Sequence, residues 1–89
     1  MSTTVRLEAI SQQLLAEISA SSYRSVRGLA REMNVDYVTL NRHINGRAPL
    51  KMERVVEILD YLKLSLADFF VRVQLRIDGL QLPALARTA

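Results

Sequence analysis

The stretch Val35-Asp36-Tyr37-Val38-Thr39-Leu40-Asn41-Arg42-His43-Ile44-Asn45-Gly46 decides how this chain is read. At about 100° per residue in a helix, Leu40, His43 and Ile44 share one side, while Val38, Asn41, Arg42 and Asn45 share the opposite one. The first side can be buried. The second carries no carboxylate: it offers two amides, a guanidinium and a solvent-facing valine, groups that suit contact with the edges of bases in a duplex. Asp36 stands where a carboxylate can accept from the free N–H groups of the first turn. Gly46 supplies the stop.

Immediately upstream, Ser25 is an N-cap candidate, and Val26, Leu29, Ala30 and Met33 follow at helical spacing, which predicts a short helix over 25–33. Gly28 inside it costs about 1 kcal/mol relative to alanine, a cost that a close backbone approach would explain. Asn34 is suited to the left-handed conformation that ends helices. The small Ala30, four residues before it, leaves room for two short helices to cross steeply, with Leu29, Ala30, Val35 and Leu40 pointing inward.

Further out, 5–20 reads as a first helix, with Thr4 as its cap and Leu7, Ile10, Leu14, Leu15 and Ile18 inward. Glu8, Gln12, Gln13 and Glu17 make its solvated face. Serines 19, 21 and 22 compete for backbone hydrogen bonds and place a turn between Ser21 and Arg24. Beyond Gly46, Arg47-Ala48-Pro49 forms a loop whose proline is set for the start of a helix over 50–62, with Met52 and the leucines in the core. Ser65 caps a fifth helix with the stripe Leu66, Phe69, Phe70, Val73, Ile77 and Leu80, running to about Asp78, with Gly79 as its stop and 81–89 as a tail. Val71, Val73, Leu75 and Ile77 also alternate with Arg72, Gln74 and Arg76 as a strand would, but the longer stripe favours the helix.

Eighty-nine residues make one small domain, expected over 1–78 with a C-terminal tail over 79–89, of a size often stabilised by oligomerisation. Nearly half the residues are apolar, six per cent are aromatic and glycine is scarce, which favours an all-α fold of five helices. With no cysteine and one histidine, neither thiolate zinc sites nor the usual metal-ligand sets can form, and no cofactor is expected. There is no phosphate-binding glycine loop and no serine or carboxylate evident as a partner for His43, so an enzyme is not expected. The apolar runs are shorter than the roughly 20 residues that span a bilayer. The N-terminus lacks a basic-then-apolar signal. A cytoplasmic, nucleoid-associated protein with no membrane partner and no small-molecule ligand is therefore expected. The net charge of +3 and pI near 9.8 are compatible with a nucleic-acid partner. The positive excess is local: Arg24, Arg27, Arg31, Arg42, Arg47, Lys51 and Arg54 face only Glu32, Asp36 and Glu53 over the same span.

The segments Ser25-Val26-Arg27-Gly28-Leu29-Ala30, Asn34-Val35-Asp36, Thr39-Leu40-Asn41-Arg42, Asn45-Gly46-Arg47-Ala48-Pro49-Leu50 and Leu62-Lys63-Leu64-Ser65-Leu66-Ala67-Asp68-Phe69 come in one order and spacing. Together they resemble the Cro and lambda-repressor superfamily of helix-turn-helix regulators, the XRE family, over roughly residues 5–70. Three positions depart from that family: Asn34 and Lys63 stand where it has glycine, and Val26 where it often has glutamine. The resemblance implies a lambda-repressor-like domain with its helix-turn-helix at helices two and three. It implies a bacterial or phage repressor that binds double-stranded DNA, as a homodimer on a palindromic operator whose half-sites lie about 34 Å apart. It places Tyr37, Val38, Thr39, Asn41 and Arg42 against bases or adjacent phosphates. Ser25, Arg27, Asn45, Arg47 and Lys51, near helix ends or the following loop, take phosphates. Asn41 would pair with adenine, Arg42 with guanine or phosphate, and Val38 with a thymine methyl.

Each of these residues has a plainer reading. The face of helix three also serves as a protein-binding surface on the same fold, as in an antitoxin-like or anti-repressor partner. Tyr37 can equally pack its ring over the end of helix two. His43 reads as a core histidine rather than a ligand, and Arg24, Arg31 and Arg54 as solvated charges. The far half of the Phe69, Phe70, Val73 and Ile77 stripe can finish the core or form a dimer contact.

Overall fold

The computed structural model describes residues 3–81. Five helices follow one another: α1 (Thr3–Ala20), α2 (Val26–Met33), α3 (Tyr37–Ile44), α4 (Met52–Leu62) and α5 (Leu66–Gln81). The fold is all-α, with no strand among the described residues. The alternation over 71–77 is thus overridden by the helical stripe: Phe69, Val73 and Ile77 are buried and Phe70 is half-buried. Leu14 and Ile18 of α1, Leu29 and Ala30 of α2, Leu40 and Ile44 of α3 and Val55, Ile58 and Leu59 of α4 close the same core. Phe69 sits edge-on to Phe70, centroids 5.3 Å apart.

Three of the four connections turn on one device. Asn34 has φ 58°, Gly46 φ 76° and Lys63 φ 57°. Each lets the chain fold back so that the next N–H reaches a carbonyl five residues earlier: Val35 to Ala30 at 3.0 Å, Arg47 to Arg42 at 2.9 Å and Leu64 to Leu59 at 3.1 Å. The two departures from glycine, Asn34 and Lys63, adopt the left-handed conformation themselves. The remaining connection, between α1 and α2, also passes through a left-handed residue, Arg24 at φ 65°, but without that five-residue closure, and side chains help to hold it. The Ser21 hydroxyl donates to the Ile18 carbonyl at 2.6 Å, and the Tyr23 amide donates to the Ser21 hydroxyl at 3.2 Å. Ser25 caps α2, its hydroxyl accepting from the Gly28 amide at 3.0 Å. The close approach foreseen at Gly28 is present, since a Cβ there would lie 2.5 Å from the Tyr23 carbonyl oxygen. The Tyr23 hydroxyl then donates to the Tyr61 carbonyl at 3.3 Å, tying this turn to the end of α4.

Several expectations are corrected. Thr4 is not a cap: α1 begins one residue earlier, and nothing in Thr3-Thr4 interrupts helical geometry. Gln13 and Glu17 are half-buried rather than solvated, because α5 runs antiparallel along α1. Arg72 donates to Glu17 at 2.7 and 2.8 Å and Arg76 to Gln13 at 3.0 Å. Burial alone would raise the Glu17 carboxyl, but the hydrogen bonds from Arg72 and Gln13 and the Arg72 charge outweigh it and hold it below the ordinary glutamate range. Helix four starts at Met52, not Leu50, with Lys51 in extended backbone as its cap residue. Leu7 and Met52, both expected in the core, are 58% and 55% exposed. They line the open groove that the loop between α3 and α4 leaves beside Ile10, Pro49, Leu50 and Val55. Leu66 at the start of the α5 stripe is 42% exposed. Gly79 does not stop α5, which continues to Gln81. The rest of the expected tail, 82–89, lies outside the described residues, as does the side chain of Leu80.

The two helical glycines predict opposite outcomes. Gly28→Ala forces its methyl into the Tyr23 carbonyl and is expected to destabilise by about 1–3 kcal/mol despite alanine's better helix propensity. Gly79, with nothing within 4 Å of its Cβ position, is expected to gain about 0.5–1 kcal/mol on substitution by alanine. Thermal or urea unfolding of both variants checks the pair.

Candidate nucleic-acid interface

The α3 face is positioned from its two ends. At the N-terminus the Asp36 carboxylate accepts from the Thr39 amide and the Thr39 hydroxyl, both at 2.9 Å. These bonds, the amide first, hold the Asp36 carboxyl below the ordinary aspartate range against a slight opposing effect of burial. Inside the helix Leu40 and Ile44 are buried to 1% and 0% exposure, which fixes its rotation about its own axis. Val38 is thereby 58% exposed. Arg42 and Asn45 are exposed, and Asn41 is half-buried beside them.

The expected site residues divide by what they already touch. Tyr37 is half-buried against the core, with the Arg27 guanidinium 4.2 Å above its ring centroid. The packing reading of Tyr37 is what the fold shows: its ring is half-buried and holds Arg27 over the junction of α2 and α3. Thr39 is exposed, but its hydroxyl proton goes to Asp36. The Ser25 hydroxyl oxygen is engaged in capping α2. The Asn45 side-chain amide donates to the Asn41 carbonyl at 2.8 Å and to Asn41 Oδ1 at 3.0 Å, a pairing that only the i, i+4 spacing signals in the sequence. Arg42, Arg47 and Lys51 are exposed, and no carboxylate among the described residues pairs with them. Arg47 is brought next to the face by its amide bond to the Arg42 carbonyl. Among the described residues no hydrogen bond joins the Lys51 or Ser25 side chain to α3.

His43 is half-buried, its Nδ1 enclosed and without a hydrogen-bond partner among the described residues. Arg54, expected as a solvated charge, is paired with Glu57 one turn along α4. Among the described residues no cluster of three or more His, Cys, Asp or Glu side chains could hold a metal ion, and no helix is long and apolar enough to cross a membrane.

Asp36 and Glu17 predict an acid limit to stability. Both carboxyls lie below their ordinary values in the folded state. Their contribution is therefore full above about pH 5 and lost as pH falls from there through the lowered folded values. Asp36→Asn keeps a cap that does not titrate, and Glu17→Gln removes the second group. Unfolding midpoints measured from pH 7 to pH 2.5 are expected to fall less steeply in each variant and least in the double variant. Comparison with family models, with curated proteins and with solved structures gave no match, so the fold and the placement of these side chains carry the functional reading.

Proposed function

We propose that the chain is a sequence-specific double-stranded DNA-binding regulator, a repressor of the Cro and lambda-repressor type, with α2 and α3 as its helix-turn-helix and α3 in the major groove. One observation carries this reading. Burial of Leu40 and Ile44 turns outward a face of α3 that holds Val38, Asn41, Arg42 and Asn45 with no carboxylate, beside Arg47 and Lys51, with which no carboxylate among the described residues pairs. Such a face meets an acidic surface without desolvating a like charge, and its amides and guanidinium match base edges. Arg47, Lys51 and the stacked Arg27 supply the phosphate contacts, and Arg42 addresses guanine or a phosphate. Val38 and Asn41 are the readers.

The proposed homodimer is assigned to a different face of α5 from the one its stripe indicated. Phe69, Val73 and Ile77 are consumed by the core, whereas Val71 and Leu75, one turn apart on the outer side, are 58% and 64% exposed.

Affinity for short duplexes is expected to fall steeply between low and moderate salt, because several phosphates are neutralised. Asn41→Ala should blur sequence preference by about 1–3 kcal/mol at one base pair. Arg47→Ala should weaken all duplexes alike and reduce the salt slope by about one unit. Absence of duplex binding even at low salt would instead favour the protein-binding reading of the same face. Sedimentation of the full chain is expected to give a dimer that Val71→Glu with Leu75→Glu converts to a folded monomer.

A further inference from the structure

We infer that Asn45 is a positioning residue for base recognition and not a phosphate ligand, an inference that rests on the DNA-binding reading and deepens it. Two independent observations carry it. The first is angular: at about 100° per residue, Asn45 falls on the arc between Asn41 and Val38, in the middle of the exposed face rather than at its edge. The second is the use of its protons. Both N–H groups of the Asn45 side-chain amide are committed, one to the Asn41 carbonyl at 2.8 Å and one to Asn41 Oδ1 at 3.0 Å. What Asn45 still presents to a ligand is Oδ1, an acceptor, and a phosphate oxygen offers it no proton.

The same pairing decides how Asn41 is presented. With its Oδ1 held toward Asn45, the Asn41 amide cannot exchange its two ends freely. Its Nδ2 stays available as a donor, and one lone pair of its Oδ1 stays available as an acceptor. A donor beside an acceptor in fixed order matches adenine, whose major-groove edge offers the N7 acceptor and the N6 amine. Free rotation of the Asn41 amide would lose part of this discrimination, because the reversed amide presents donor and acceptor in the wrong order.

The test is a double-mutant cycle of Asn41→Ala and Asn45→Ala. Binding is measured on the best duplex selected from random sequence and on the same duplex with each base pair replaced in turn. Asn45→Ala is expected to lower the preference at the base pair that Asn41→Ala also affects, by about 3–10-fold, and to have no further effect on that preference in the Asn41→Ala background. A phosphate ligand would behave differently, weakening every duplex by one factor in both backgrounds, and that result overturns the inference while leaving DNA binding intact. A wild-type protein that selects no duplex overturns the DNA-binding reading itself. The free protein gives a separate readout: side-chain amide resonances of Asn45 should exchange with water more slowly than those of Asn41. Equal exchange overturns the clamp whatever the protein binds.

Discussion

The left-handed turn at Asn34 is the constraint on which the arrangement of α3 depends. A residue at φ 58° reverses the chain within three residues of Met33, and the Val35 amide then closes on the Ala30 carbonyl at 3.0 Å. That bond requires Ala30 to lie close under the turn, where a larger side chain would push the two helices apart. Leu40 and Ile44 then enter the core from one direction only, and the outward direction of Val38, Asn41 and Arg42 follows. Asparagine is among the few residues with a side chain that visit this conformation routinely. Lys63 makes the same turn after α4 with no such advantage and carries a cost of order 1 kcal/mol, accepted because Leu59 and Leu64 on either side are drawn to the core.

The opposite flank is held by polar groups. Along α1 the Glu17 and Gln13 side chains receive Arg72 and Arg76 from α5 and are joined to each other at 2.7 Å. Ionic strength therefore acts on this flank more than on the junction of α2 and α3, whereas acid acts on both, through Glu17 on the flank and through the Asp36 cap at the junction. The exposed Leu7 and Met52 lie at the edge between the two regions, on the groove opened by the loop after Gly46.

Local chemistry was legible in the sequence wherever one residue type has one conformational use. The caps at Ser25, Asp36 and Ser65, the turn at Asn34, the tight approach at Gly28 and the helical core stripe of α5 were readable for that reason. What failed were readings that assumed a helix has one buried face. Gln13 and Glu17 look solvated by type, yet a neighbouring helix covers them. Leu7 and Met52 look buried by type, yet the loop between α3 and α4 leaves them open. Ala9 shows the converse, being 1% exposed although no periodicity singled it out. Gly79 failed differently: a glycine stops a helix only when it takes a positive φ, and Gly79 does not. In the candidate interface the residue types and the Ser25 cap were legible, but the bonds spent by the Thr39 hydroxyl and the Asn45 amide were not, because they depend on side-chain direction.

Those spent bonds determine where a phosphate backbone can approach. A helix N-terminus attracts anions through its free N–H groups and dipole, and two such ends lie next to the proposed reading face. At α3 that end is occupied by the Asp36 carboxylate, which uses the Thr39 amide and repels a second anion. At α2 the cap is the neutral Ser25, which takes only the Gly28 amide, and Arg27 stands close by over the Tyr37 ring. On the proposed reading, one phosphate strand therefore runs past the start of α2. The other meets the exit of α3, where Arg47 and Lys51 are unneutralised and the last carbonyls are tied back by the amides of Gly46 and Arg47. An acidic cap on the reading helix and a neutral one on the helix before it thus act together. On the proposed reading they keep the phosphates at the flanks and leave the centre of α3 to the bases.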